Sequence, residues 1–213
     1  MPGQRYVAAI GLLASGLLFG MSLHADPTTA APAVQRFAVV PAESLVTYRV
    51  AETFFREGNR LNVAVGTTNA VKGEITVDRA APRNSRIGTI TVDISTFRSD
   101  STRRDQAIRE RWLESARFPT AEFRPTAVEG LPATYREGEE LRLQVTGDLK
   151  VRDVTRPVTF TLTLVLQGAT LRGTGQTSIL MTDFGFEPPS ILGILRAENE
   201  VRLEFRFVAR PGS

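Results

Sequence analysis

Between Val46 and Phe207, run after run of residues places an apolar side chain at every second position, and this period constrains the fold more than any other feature. A strand sends successive side chains to opposite faces, so strict alternation marks a ribbon with one face in a core and one in water. Val46, Tyr48 and Val50 alternate with Thr47 and Arg49, and Val71, Gly73, Ile75 and Val77 alternate with Lys72, Glu74, Thr76 and Asp78. The pattern returns at Ile90, Val92 and Ile94, at Leu141 to Val151, at Val158 to Leu166, at Leu171 to Ile179 and at Val201 to Phe207. With a further strand around Ala121 to Val128, the sequence predicts about eight strands.

Turn-forming residues separate the runs: Pro82-Arg83-Asn84, Gly130-Leu131-Pro132, Glu137-Gly138 and Gln167-Gly168. Connections this short join antiparallel neighbours, and one dry face per strand means a sheet wrapped around its own core. An open sheet would leave two unpaired edges, which closure removes. The expected fold is therefore all-β: an eight-stranded antiparallel, lipocalin-like barrel with one short helix and an apolar loop at the barrel end.

Two segments break the alternation. Ser99 to Leu113 lacks Gly and Pro, offers Ser99, Asp100 or Ser101 as a cap, and spaces Ala107, Ile108 and Trp112 for a helix. Phe184 to Leu195 contains Gly185, Pro188 and Pro189, which argue against a strand there. Its Phe186, Ile191, Leu192, Ile194 and Leu195 make an unusually apolar loop, a plug or a lid.

Met1 to Tyr6 carries Arg5, Val7 to Leu23 is apolar, and Ala25 precedes Asp26-Pro27. This is the layout of a secretory leader, with an uncleaved anchor as the alternative. Expected organisation is a leader over 1–25, a flexible tether over 26–35 and a barrel over 36–210, with a periplasmic or secreted location. Cleavage would remove His24, the only histidine. The chain has no cysteine, so thiolate nucleophiles, disulfides and thiolate metal sites are out of reach. Neither a catalytic nor a metal site is expected, nor any cofactor. Asp93, Asp148 and Asp183 are the carboxylates an enzyme reading would need, and Asp93 and Asp148 fall on polar registers.

The pI is about 9.8, yet the net charge is only +3, and arginines interleave with acids, as in Arg103-Arg104-Asp105 and Arg109-Glu110-Arg111. Nucleic-acid binders gather positive charge on one face, so none is expected as partner.

Arg111-Trp-Leu-Glu-Ser-Ala-Arg-Phe-Pro-Thr-Ala-Glu-Phe123 and Val145-Thr-Gly-Asp-Leu-Lys-Val-Arg-Asp-Val-Thr-Arg-Pro-Val158, with a weaker Asp183-Phe184-Gly185, stand in an order and spacing that resemble signatures of the YceI-like family of periplasmic polyisoprenoid-binding proteins. The resemblance spans roughly Phe37 to Val208. It implies an extended, eight-stranded, lipocalin-like barrel with an isoprenoid chain threaded through its apolar interior. Arg152-Asp153 departs from the His-Gly pair common in that family, and Glu52 to Thr68 is longer and more polar than the usual link between the first strands.

An eight-stranded barrel can be filled by side chains or can hold one small ligand. Phe160, Phe205 and Phe207 argue for filling, and Gly73, Gly147, Gly173 and Gly175 on inward registers argue for room. If room exists, the lining is expected to carry no charge. The candidate ligand-binding residues are Val92, Ile94, Phe97, Trp112, Phe118, Phe123, Val145, Phe160, Leu162, Phe184, Ile194, Leu203 and Phe205. Arg98, Arg103, Arg104, Arg109 and Arg111 are candidates for a phosphate or quinone head. The expected partner is a polyisoprenoid lipid or isoprenoid quinone, stored or carried, with transient membrane contact and a monomeric or homodimeric state. The rival reading is a filled barrel used as an adhesion or scaffold module through the Phe184 to Leu195 loop.

Overall fold

The computed structural model describes residues 33–191 and 193–212. The expected leader over 1–25, and the tether as far as residue 32, lie outside the described residues; Val34 and Gln35 already belong to the first strand.

Among the described residues, thirteen strands form one antiparallel sheet: β1 (Val34–Val39), β2 (Leu45–Phe54), β3 (Arg60–Thr68), β4 (Val71–Lys72), β5 (Glu74–Asp78), β6 (Arg86–Ile87), β7 (Ile90–Asp93), β8 (Thr120–Glu129), β9 (Glu140–Val151), β10 (Val154–Gln167), β11 (Thr170–Leu180), β12 (Ser190–Ile191) and β13 (Leu195–Pro211). Thirteen exceeds the expected count because bends divide long runs. A 3-10 turn at Pro41–Glu43 separates β1 from β2, so that β1 pairs with β5 while β2 pairs with β3. Breaks at Asn69-Ala70 and at Gly73 divide the next run into β3, β4 and β5.

Pairing proceeds β4-β7-β8-β9-β10-β11-β13, and the far edge of β13 takes up both β1 and β2. Because β2 pairs with β3 and β3 leads into β4, the sheet curls back on itself as a lipocalin-type barrel. Up-and-down connection gathers the turns at two ends. Turn 79–85, loop 130–139 and the tight Gly168-Ala169 hairpin lie at one end; turn 55–59, segment 94–119, the Arg152-Asp153 turn and segment 181–194 lie at the other.

The first end is packed solid. Phe37, Val71, Leu166, Leu171 and Ala209 are almost wholly buried, and Val39, Ile75, Leu143 and Phe207 close around them. Each of the larger side chains contributes about 1.5–3 kcal/mol by leaving water. Tyr135 seals this floor: its hydroxyl accepts from Leu166 N at 3.0 Å and lies 2.8 Å from Leu166 O.

Several local expectations are corrected. The helix, α1, covers only Thr102–Ala107, with Ser101 Oγ accepting from Arg104 N at 3.3 Å, and continues as a π-type turn over Ile108–Trp112. Ile94 opens a 3-10 turn instead of ending a strand. The loop from Phe184 contains a short strand, β12, paired with the start of β13, so the last strand begins at Leu195 and not near Val201. The prolines donate nothing to the ladder, although Pro189 O accepts from Ala197 N at 2.8 Å, and Ser190 and Ile191 just beyond pair with Arg196 and Leu195. The rule of an apolar inner and polar outer face fails on β3, where Leu61, Val63 and Val65 are exposed and Ala64 and Gly66 are buried.

Candidate functional site

Above the packed floor the barrel is hollow. A cavity of about 930 Å³ runs from the segments at the open end down to Ile75, Ile87 and Phe207. Its wall comes from alternate residues of nearly every long strand: Val46, Tyr48 and Val50 on β2, Phe123 on β8, Val145, Leu149 and Val151 on β9, Phe160 and Leu162 on β10, and Leu203 and Phe205 on β13. The interior is thus divided: filled at one end, hollow at the other.

Three of the four inward glycines expected to leave room, Gly73, Gly147 and Gly173, do not create this space, and neither does Gly66. A Cβ at Gly66 would stand 2.2 Å from the Tyr48 ring, one at Gly73 2.3 Å from Ile90, one at Gly147 2.8 Å from Phe123, and one at Gly173 2.7 Å from Phe207. Each lets a larger side chain lie flat over its backbone. Gly175 is different, since a Cβ there would meet only Phe160 at 3.7 Å and Leu162 at 3.9 Å, and it borders the hollow.

The expectation of an uncharged lining is also corrected. Glu52 is 6% exposed and borders the hollow, accepting from Asn62 Nδ2 at 3.1 Å and Arg104 Nη2 at 3.3 Å. Arg104 reaches inward from α1 and also pairs with Asp100, and these carboxylates raise its pKa above the usual value even though burial opposes this. The charge is tolerated because it is paired and hydrogen-bonded. Below it, burial, reinforced by the nearby Asp105 carboxylate, pushes the Tyr48 phenol up to about 12. Tyr48 therefore presents a neutral hydroxyl, with its ring edge-on to Phe97 at 5.2 Å. Of the five head-group arginines, Arg103, Arg104 and Arg111 border the hollow, whereas Arg109 donates to Phe97 O at 3.4 Å and the Arg98 backbone bridges Thr67.

Eleven candidate residues border the hollow: Val92, Ile94, Phe97, Trp112, Phe123, Val145, Phe160, Leu162, Ile194, Leu203 and Phe205. Phe118 and Phe184 do not. Phe118 lies beneath the Arg117 guanidinium at 4.7 Å, and Phe184 is buried in the 3-10 turn after β11. Asp93, Asp148 and Asp183 are not in the wall either, and Asp93 caps its turn by accepting from Ser95 N at 3.0 Å. Glu52 was within reach of sequence reasoning, because it continues the inward register of Val46, Tyr48 and Val50.

The open end is tied together across elements. Trp112 Nε1 donates to Glu187 O at 3.0 Å, joining the π-type turn to the apolar loop. Arg152, in the left-handed region at φ 57°, pairs with Glu114 at 2.9 Å, donates to Trp112 O at 3.2 Å and stacks over Phe186 at 5.1 Å.

A family model described as the YceI-like domain matches residues 37–209, the stretch that builds this floor, wall and rim. The chain belongs to the YceI-like domain family. Protein YceI of Escherichia coli is 32% identical over 104 residues, 48% of this chain and 50% of that protein, so the chain spans about half the length of the curated relative it matches. Among solved structures, BcnA of Burkholderia cenocepacia superposes with a TM-score of 0.62 at 21% identity, over 80% of this chain and 98% of that one. A polyisoprenoid binding domain from Saccharophagus degradans superposes with a TM-score of 0.62 at 12% identity, over 84% and 99%. At such identities these two likenesses establish the fold. In this YceI-like domain the two signature stretches are neighbours, since β8 pairs with β9 and places Phe123 opposite Leu149 and Glu122 opposite Lys150.

Proposed function

We propose that this YceI-like domain binds one long apolar isoprenoid chain in the hollow, with its head at the arginine-bearing rim, and stores or carries it outside the cytoplasm without transforming it. The observation that carries this reading is the division of the interior. A barrel serving only as a scaffold gains stability by filling its core, yet here a solid floor stops part-way and about 930 Å³ is left above it. That volume lies in the upper part of the roughly 300–1,000 Å³ range of small-molecule sites. A barrel of the lipocalin type can enclose a single small ligand.

Affinity would come from burial of the chain, at about 0.8 kcal/mol per CH₂. Selectivity would come from the rim, where Tyr48, the Glu52–Arg104 pair, Arg103 and Arg111 suit a quinone or prenyl phosphate head. The isoprenoid class is supported by the Saccharophagus degradans domain of the same fold. The test is solvent extraction of the purified protein followed by mass spectrometry, before and after incubation with isoprenoid quinones and prenyl phosphates. Near-stoichiometric isoprenoid supports the reading; protein that is empty as purified and ignores every added chain overturns it.

A further inference from the structure

The hollow does not account for β3, whose faces are reversed. Leu61, Val63 and Val65 point to solvent and are 79%, 54% and 36% exposed, while Ala64 is buried against the interior. The same three residues present an open backbone edge. Thr67 directs both its N–H and its C=O away from β2, donating to Arg98 O at 2.8 Å and accepting from Arg98 N at 3.0 Å. Because β2 and β3 pair in unbroken register, Leu61, Val63 and Val65 direct theirs the same way, and among the described residues those groups have no hydrogen-bond partner. Natural edge strands are usually guarded by charge, proline or a bulge. None of these occurs between Leu61 and Val65.

We propose that this edge pairs with the same edge of a second copy of the chain, antiparallel about a two-fold axis at Val63. The register is self-complementary. Val63 then faces Val63 of the second copy and Leu61 faces Val65 of the second copy, so each copy's three free N–H and three free C=O groups meet their counterparts. Edge-to-edge addition of this kind draws affinity from main-chain bonds and specificity from alternate side chains. The outward side chains form one apolar strip across the junction, and no like charges face each other. Arg60, the nearest charge on the strand, falls opposite Gly66 of the second copy, and its guanidinium is turned back onto Glu57 at 2.6 Å and the Phe54 ring at 4.8 Å. Three partly exposed side chains per copy bury less than the roughly 800 Å² per partner of a standard interface. The dimer is accordingly weak and concentration-dependent.

The test is sedimentation equilibrium on the full chain from about 5 µM to about 500 µM, the range in which a weak pair exchanges with monomer. Wild type shifts toward twice the monomer mass. V63K, which sets two like charges opposite each other across the axis, stays monomeric with unchanged circular dichroism. L61K/V65E restores association, because each introduced cation faces an introduced anion of the other copy, and L61K/V65K does not. Amide exchange at Leu61, Val63 and Val65 slows as concentration rises. A wild type that is monomeric throughout overturns the proposal, whether the edge amides exchange freely, are covered by another part of the same chain, or become protected only on added phosphatidylcholine vesicles. Association that persists in V63K, or that L61K/V65E abolishes, overturns the register.

Discussion

Gly173 and Gly175 lie two residues apart on β11 and face the same side of the sheet, yet substitutions at them should act in opposite directions. At Gly175 a Cβ meets only Phe160 and Leu162 at ordinary contact distance, so in Gly175→Leu the rest of the side chain extends into the hollow. Removing an interior strand glycine gains about 0.5–1 kcal/mol, and with roughly 2–4 °C per kcal/mol for a domain of this size, Tm rises by about 1–4 °C. At Gly173 a Cβ stands 2.7 Å from Phe207 and 2.8 Å from the backbone oxygen of Thr163, which is fixed in the ladder with β11. Overpacking of this kind costs about 1–3 kcal/mol, so Gly173→Ala lowers Tm by roughly 2–12 °C. Scanning calorimetry gives the stabilities, and a retained-lipid assay gives the loading per folded molecule. Gly175→Leu combines equal or higher Tm with reduced loading, whereas Gly173→Ala combines lower Tm with nearly unchanged loading. A Gly175→Leu protein that carries a full complement of lipid, or that unfolds well below wild type, would refute the division between packed floor and open hollow.

Further outcomes follow from individual groups. Tyr135→Phe leaves the buried Leu166 N–H without its acceptor, a loss of about 1–3 kcal/mol, read as a lower urea midpoint with unchanged m-value. Tyr48 ionises near 12 in the folded protein against 10.0 unperturbed; the native state therefore holds a proton the unfolded chain releases, and stability is full below pH 10 and declines from there to about pH 12. Ultraviolet titration should resolve this late phenol, and its loss in Tyr48→Phe confirms the assignment; ionisation of Tyr48 at its unperturbed value would contradict the burial described.

The strands were legible because alternation, turn residues and short connections agreed with one another. Alternation defines two faces without saying which is inner. On β3, Leu61, Val63 and Val65 carry the apolar signal and Ala64 and Gly66 do not, so only the pairing with β2 reveals that the small residues face inward. The strand count was missed for a different reason: the bends at Pro41–Glu43 and Gly73 are short, and they let one run pair with two neighbours. In the site, the large apolar wall followed directly from register. Gly147 and Gly173 misled because a glycine opposite an aromatic ring marks close packing as readily as empty space, and sequence does not show where Phe123 or Phe207 lies. Phe118 and Phe184 belong to irregular segments, where no period assigns a direction.

The most direct measurement is an isotope-filtered nuclear Overhauser experiment on the protein loaded with an unlabelled isoprenoid quinone. Chain methyls should show contacts to Val50, Phe160, Leu203 and Phe205, and none to Leu166 or Leu171 in the floor. Contacts confined to outward residues such as Leu61 and Val63, or no contacts at saturating ligand, would contradict an interior binding site.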